Sequence, residues 1–76
     1  MRRIYVCVVA RMDEDGNITP LWIEWKDGTK YEIDRILSAS RLSASYLHPG
    51  YFFHVRIQGR ERDLGYDGRW YLNVYD

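Results

Sequence analysis

The sequence predicts an all-β protein, a six-stranded antiparallel meander curled into a small SH3-like barrel or roll. Apolar and polar residues alternate through almost the whole chain, a period of two that is typical of strands with one buried face. Asp-Gly pairs, which favour hairpin turns, lie at Asp15-Gly16, Asp27-Gly28 and Asp67-Gly68. With 76 residues and no amphipathic helix, the chain can bury one sheet face only by curling the sheet. We therefore expect one domain over residues 1–76.

The alternation assigns a core face to each predicted strand. Side chains two residues apart share a side of a strand, so each set below points one way. In chain order the predicted core residues are Ile4, Val6, Val8, Ala10 and Met12; Leu21, Ile23 and Trp25; Tyr31 and Ile33; Tyr51, Phe53, Val55 and Ile57; Leu64; and Trp70, Leu72 and Val74.

Turn lengths can be checked against these faces, because a shift of one residue would turn a core face to solvent. A three-residue loop over 26–28, with Gly28 left-handed, opposes Ile23 with Tyr31 and keeps both inside. The other predicted turns are a four-residue loop over 13–16, a two-residue turn at 59–60 and a three-residue loop over 66–68. They oppose Val8 with Leu21, Val55 with Leu64, and Leu64 with Trp70.

The segment from Ile36 to Gly50 interrupts the alternation. Ser-Ala-Ser occurs at 38–40 and again at 43–45, and the core side shifts between Ile33 and Ile36, which indicates a bulge near Asp34-Arg35. A bent strand followed by a loop agrees with the serines and the neighbouring strands. A short helix over 39–47 is the alternative, and the sequence alone leaves strand, loop and helix open.

The charge balance bears on function. Eleven basic and eleven acidic residues give a net charge of zero, so no global field attracts polyanions or membranes. Nine of the basic residues are Arg, and seven Tyr and three Trp accompany them. These residue types are enriched at the energetic centres of interfaces, although a small β domain also needs aromatic residues for its core.

The residues that catalysis or metal binding would need are few. Cys7, His48 and His54 lack the paired spacing of a zinc site, so no metal and no cofactor are predicted. The serines near His48 fit hydrogen bonds to turn backbone better than a nucleophile, and Cys7 has no basic neighbour to activate it. We therefore predict a protein that is not an enzyme. No apolar run of membrane-spanning length and no signal peptide is seen, and the expected location is the cytoplasm.

One candidate surface is a nucleic-acid face. Aromatic and arginine side chains are interleaved from Tyr51 to Arg62, a combination with which small barrels bind single strands. Glu61 and Asp63 lie in the same hairpin and are expected to offset Arg56. The residues of this predicted face are Phe52, His54, Arg56, Arg60, Arg62 and Tyr71.

A second candidate surface surrounds Trp22, which the alternation places on the solvent side. The predicted register sets Cys7 opposite Trp22 and Val9 opposite Pro20. With Tyr5, these residues would form a contiguous apolar patch, which usually indicates contact with something. The predicted interaction patch is Tyr5, Val9, Pro20 and Trp22. It could be covered by the serine-rich segment, pair with a second copy in a homodimer, or dock another protein.

The stretch "ITPLWIEWKDGTKYEIDRIL" is similar to a pattern of a family of short bacterial proteins of unknown function. The matching positions are Ile18, Thr19, Pro20, Leu21, Trp25, Asp27, Gly28, Tyr31, Ile33, Asp34, Ile36 and Leu37, continued by Tyr51, Val55, Ile57, Gly59, Leu64 and Trp70. More loosely, the chain resembles small β domains encoded near lesion-bypass DNA polymerases. The resemblance implies an accessory role in DNA repair and no catalytic residues, and Trp22 is not part of the pattern.

Together these features predict a non-enzymatic protein-interaction module, with a partner protein or a second copy of the chain bound at the Trp22 patch. The alternative is a small nucleic-acid-binding β-barrel that uses the arginine face. No interaction with a membrane is expected.

Overall fold

The computed structural model describes residues 2–42 and 50–75, and the side chains of 2–41 and 50–75. This part of the chain contains strands and no helix, and so no helix able to cross a membrane. The strands are β1 (Arg2–Tyr5), β2 (Cys7–Met12), β3 (Ile18–Glu24), β4 (Lys30–Glu32), β5 (Arg35–Leu42), β6 (Gly50–Ile57), β7 (Arg60–Tyr66) and β8 (Trp70–Val74). The all-β prediction is confirmed.

The strands form two antiparallel sheets, one with the order β1-β8-β7-β6-β5 and one with the order β2-β3-β4. The prediction of a six-stranded barrel or roll holds only in part: the strands are antiparallel, but the described residues form eight strands in two sheets and no closed barrel. Two predicted strands are each divided between the sheets, the first at Val6 and the third at Ile33-Asp34. Alternation continues through Val6, so the sequence shows no break there, whereas the second division coincides with the shift of the core side between Ile33 and Ile36.

The residues at these divisions keep backbone hydrogen bonds to the flanking strands. The Val6 N–H donates to the Trp70 carbonyl at 3.0 Å, and the Asp34 N–H donates to the Arg56 carbonyl at 2.9 Å. The Ile33 N–H donates to the Leu21 carbonyl at 3.0 Å. Both divisions therefore cost little in unsatisfied backbone groups, and each strand can pass from one sheet to the other.

The hairpin between β3 and β4 has the predicted geometry. Ile23 lies opposite Tyr31, the Trp25 N–H donates to the Thr29 carbonyl at 2.8 Å, and Gly28 has a φ of +86°. In the β6–β7 and β7–β8 hairpins the strand register differs from the prediction by two residues. The β6–β7 turn is at 58–59, and Leu64 lies opposite Phe53 and Leu72. Because a shift of two preserves the side on which each residue lies, the predicted faces survive.

The hairpin between β2 and β3 departs further from its prediction. The Asp13 carboxylate accepts the backbone N–H groups of Asp15 and Asn17, each at 2.9 Å, and closes a longer loop. The register then shifts between Val9 and Ala10, so that Leu21 is an extra residue of a β-bulge. As a result Leu21 is 39% exposed, and its predicted place in the core is wrong.

The core lies between the two sheets. Its buried members are Ile23, Phe53, Val55, Ile57 and Leu64, and the partly buried side chains packed on them are Val6, Val8, Tyr31, Ile33, Ile36, Tyr51, Trp70 and Leu72. These residues were predicted to be core, with Ile36 placed after the bulge. Predicted core residues at strand ends and at the bulge are exposed instead: Ala10, Met12, Leu21 and Trp25.

The serine-rich segment is partly described. Its first half is strand β5, with a register shift between Ile36 and Ser38 that places the bulge near Leu37 rather than at Asp34-Arg35. Residues 43–49, including His48, lie outside the described residues, so the choice between loop and helix there stays open.

Candidate functional site

The outer face of the five-stranded sheet carries part of the predicted nucleic-acid face. Phe52, His54 and Arg56 alternate with the buried Phe53 and Val55 of β6, so the three share the side away from the core. Their half-buried to exposed side chains agree with the predicted outward side of this strand, and the binding of nucleic acid there stays a prediction.

Tyr71 lies on the same outer face but is only 3% exposed. The Arg3 guanidinium carbon lies 4.1 Å from its ring centre, and Tyr5 meets the ring edge to face at 5.9 Å between centroids. The ring also covers Gly65, its opposite residue on β7. Tyr71 is therefore a packing residue of the outer face, and its ring is not free to stack on a base.

His54 is held between two carboxylates. Its Nδ1 is 2.6 Å from Asp63 Oδ1, and its Nε2 is 3.7 Å from Glu61 Oε1. The hydrogen bond with Asp63 raises the pKa of His54 above its ordinary value. Burial raises the pKa of Asp63, but hydrogen bonds from Tyr75 and His54 outweigh burial and lower it. This network ties His54 on β6 to Asp63 on β7 and to Tyr75.

The expectation that Glu61 and Asp63 offset Arg56 is not met. Arg56 lies between Glu61 on β7 and Arg35 on β5 in the strand register. Ion pairs found among the described residues join Glu61 and Asp63 to His54, and none includes Arg35 or Arg56. Two like charges face each other across neighbouring strands, an arrangement that costs stability. Sequence reasoning did not include Arg35 in this face.

Arg60 and Arg62 do not belong to the outer face, and that part of the prediction is wrong. They share the side of β7 on which Leu64 enters the core, because they precede it by four and two residues. Both line an opening of about 500 Å³ between the sheets, together with Trp25 and Tyr31.

The predicted patch around Trp22 is not a single exposed apolar surface. Pro20 is among the most deeply buried side chains, with less than 2% exposed. Tyr5 belongs to the other sheet, and the Arg69 guanidinium carbon lies 3.9 Å from its ring centre. Both predicted pairs are wrong: Val9 lies opposite Trp22 rather than Pro20, and Cys7 lies opposite Glu24 rather than Trp22.

Trp22 itself is half-buried beneath polar neighbours. The Lys30 ammonium lies 3.9 Å from its ring centre, and the indole N–H donates to Glu24 Oε1 at 3.3 Å. A cation over the ring and an acceptor for the N–H are the partners that an exposed tryptophan needs. The position of Trp22 on the solvent side is thus explained within the chain, without any external partner.

A cleft lies at another opening between the sheets. Its volume is about 660 Å³, and its apolar lining consists of Met12, Ile18, Ala39, Tyr51, Phe53 and Tyr66. Asp15 and Arg41 lie on its rims. Met12 is 66% exposed there, the highest exposure among the large apolar side chains described.

The aromatic side of this cleft is preorganised. Tyr51 stacks on Phe53 at 6.3 Å with an angle of 15° between the ring planes, and Tyr66 packs on Trp70 at 4.9 Å. Phe53 and Trp70 are 5.9 Å apart, so the four rings form one cluster. Rings fixed by their neighbours lose little entropy when a ligand packs on them.

Strand β5 borders the cleft with Ala39, Ser40 and Arg41. Among the described residues β5 pairs with β6 alone and is the last strand of its sheet. Alternate backbone N–H and C=O groups therefore face outward along the edge. The side chains at 38–40 are small, so they leave that backbone accessible.

Sequence reasoning missed Met12 at the cleft and Trp25 at the opening lined by Arg60 and Arg62, because it assigned both residues to the core. Met12 and Trp25 continue the core side of their strands, but each stands where its strand ends and the opposite sheet no longer covers it. Their position beside a predicted turn was the available signal, since the last residue of a core stripe lies at the mouth of a small β domain.

The described residues offer little for catalysis or metal binding. Ser38, His54 and Asp63 follow one another across three strands, but His54 Nε2 is directed to Glu61. No three His, Cys, Asp or Glu side chains within 2–42 and 50–75 are arranged to hold a metal ion. The predicted absence of enzymatic activity and of metal stays a prediction.

Comparison of the chain with protein-family models, with curated proteins and with solved structures finds no match. The resemblance to the short bacterial family and to the β domains near lesion-bypass polymerases therefore stays a prediction.

Proposed function

We propose that this protein is a non-enzymatic protein-interaction module whose cleft binds an extended peptide segment of a partner protein. The observation that carries the proposal is the meeting of an apolar cleft with the outer edge of strand β5. The cleft supplies about 660 Å³ between the sheets, and β5 borders it with an edge on which no strand of residues 2–42 and 50–75 pairs. An SH3-like arrangement of the two sheets around this opening is part of the proposal.

The outer edge of β5 supplies the backbone part of recognition. A peptide that pairs with β5 would extend the sheet β1-β8-β7-β6-β5 by one strand, with main-chain hydrogen bonds that do not depend on its sequence. Because strand side chains alternate, every second side chain of that peptide would face the cleft.

The cleft supplies the specificity. Tyr51, Tyr66 and Met12 present two fixed rings and one flexible thioether, a combination that accepts apolar side chains of differing shape. Arg41 on the β5 rim favours an acidic residue at the neighbouring peptide position. We therefore expect the bound segment to alternate apolar residues with polar ones and to carry an acidic side chain near Arg41.

The proposed partner is a protein, as predicted from the sequence, but the proposed binding site is the cleft rather than the patch around Trp22. Pro20 is buried, and Lys30 and Arg69 lie over the Trp22 and Tyr5 rings, so the predicted patch offers little uncovered apolar area. An accessory role in DNA repair follows only from the resemblance and is part of this proposal, as is a cytoplasmic location.

The test begins with peptides selected on the purified protein from a random displayed library. Met12→Lys places a charge in the cleft, and Leu21→Lys is the matched control, since Leu21 is exposed but outside the cleft. We expect the selected peptides to lose at least about tenfold in affinity with Met12→Lys and less than about twofold with Leu21→Lys. Equal losses in both variants, or none in either, would overturn the cleft as the site.

A second copy of the chain is the other partner to separate. Light-scattering chromatography gives the solution mass of the wild type, of Met12→Lys and of Trp22→Ser. A dimer dissociated by Trp22→Ser in a folded protein would return the interaction to the originally predicted patch. A monomer in all three leaves the cleft free for a partner segment, as proposed.

A further inference from the structure

A second opening between the sheets has a different chemistry from the cleft. It has a volume of about 500 Å³, and β3, β4, β6, β7 and β8 all contribute to it. Its apolar base includes Ile57 and Leu72, and Trp25, Tyr31, Arg60 and Arg62 surround it. Ligand sites of small proteins have this size and this mixture of apolar floor and few polar groups.

The Trp25 ring reaches solvent in this opening and has no stacked aromatic or cationic neighbour among the described residues. It is 37% exposed, whereas Trp22 lies beneath Lys30 and Tyr5 lies beneath Arg69. An indole in a concave site can stack on a planar aromatic group, as aromatic side chains do with bases when proteins bind single strands.

The two arginines give the opening a positive charge. Arg60 and Arg62 lie two residues apart on one side of β7, which places their Cα atoms roughly 7 Å apart. Neither forms an ion pair with a described carboxylate, and no described Asp or Glu lines this opening. Glu61 and Asp63 alternate with them along β7 and are engaged by His54, and both carboxylates line a neighbouring opening of about 550 Å³ that Trp25 and Arg62 also border.

We propose that this opening binds a nucleoside phosphate, with the base stacked on Trp25 and the phosphate held by Arg60 and Arg62. Guanidinium groups match phosphate oxygens in geometry and keep their charge at any physiological pH. The ligand is a free mononucleotide or one nucleotide of a single strand, because both present the same base and phosphate. This site uses the predicted arginines with a different aromatic partner, and it does not depend on the cleft.

Calorimetric titration tests the site with a purine nucleoside monophosphate, the same nucleoside, inorganic phosphate and a short single-stranded oligonucleotide. Binding of the monophosphate at least about tenfold tighter than the nucleoside or phosphate alone is expected, since the two contacts act together. Preference for the oligonucleotide over the monophosphate would assign the site to a single strand, and equal affinity would assign it to one nucleotide. No saturable binding of either, or equal binding of nucleoside and monophosphate, would overturn the proposal.

Variants locate the site. Trp25→Leu removes the stacking face, and Arg62→Gln removes one charge without shortening the side chain much. Each is expected to weaken binding at least about tenfold. Arg56→Gln on the outer face is the matched control and is expected to leave affinity within about twofold. A loss with Arg56→Gln and none with Arg62→Gln would contradict the proposal, and urea unfolding of each variant verifies that it is folded.

Discussion

Replacing Gly65 by Ala tests the packing of the outer face, because one ring occupies the place of the missing side chain. A Cβ at Gly65 would lie far closer than 3.0 Å to the Tyr71 ring, while the backbone of Gly65 would accept alanine. Tyr71 is 3% exposed and cannot move aside without losing its cover from Arg3. The substitution must therefore displace the ring rather than strain the backbone.

The cost can be estimated from the ring's burial. An aromatic side chain buries roughly 150–250 Å², so expelling it completely would cost about 4–6 kcal/mol at about 25 cal/mol per Å². A partial displacement of Tyr71 gives an expected loss of about 2–4 kcal/mol. A domain of this size is stabilised by roughly 4–11 kcal/mol, so the variant should remain folded in the absence of denaturant.

A double-mutant cycle separates the clash from any other effect of the substitution. In a Tyr71→Ala background the clash is gone, and Gly65→Ala should be neutral or stabilising by up to about 1 kcal/mol, since alanine restricts the unfolded chain. Urea unfolding followed by tryptophan fluorescence gives the four free energies. A loss from Gly65→Ala that is the same with and without the Tyr71 ring would refute the reasoning.

Three further predictions concern pH, the core and a turn. Because folding raises the pKa of His54, the stabilisation from its protonated ring is complete below pH 6.5 and is lost as pH rises through the folded-state pKa of His54. Because folding lowers the pKa of Asp63, the stabilisation from its carboxylate is present above pH 3.8 and is lost as pH falls through the folded-state pKa of Asp63. The urea midpoint of wild type should therefore exceed that of His54→Gln most between those limits, and a difference that grows above pH 7 would contradict this. Leu64→Ala, at 0% exposure, should cost about 2–5 kcal/mol, whereas Met12→Ala at the cleft should cost less than about 0.5 kcal/mol; similar losses in urea unfolding would be inconsistent with the described core. Gln58 has a φ of 51° in the β6–β7 turn, so Gln58→Gly should stabilise by about 0.4–1 kcal/mol, and a lower melting temperature would show that the turn is different.

The sequence predicted which side of most strands faces the core, because alternation is a local property. Ile23, Val55 and Leu64 were assigned to the core from their parity alone, and errors of two residues in the β6–β7 and β7–β8 hairpins left that parity unchanged. The Gly28 loop was predicted with its register because only one loop length satisfied both strands.

The features that sequence reasoning could not supply depend on contacts between distant residues. The change of sheet at Val6 leaves the alternation intact. The bulge that exposes Leu21 and buries Pro20 has no residue type that marks it in the sequence. Met12 and Trp25 are covered only if the opposite sheet extends over them. The alternation within a strand does not predict how far the opposite sheet extends. The side of the strand on which Arg62 lies could have been predicted, because Arg62 is two residues from the core residue Leu64. The prediction nevertheless grouped Arg62 with the outer face.

Backbone amide hydrogen exchange along β5, with and without a selected peptide, shows whether a partner segment adds to this strand. Strand addition predicts that alternate amides of β5 exchange rapidly in the free protein, since they face the open edge, and become protected on binding. The amides of β2 around Val9 should not change. Protection confined to β2 and β3 around Trp22, with β5 unaltered, would contradict the proposed role of the cleft and its edge.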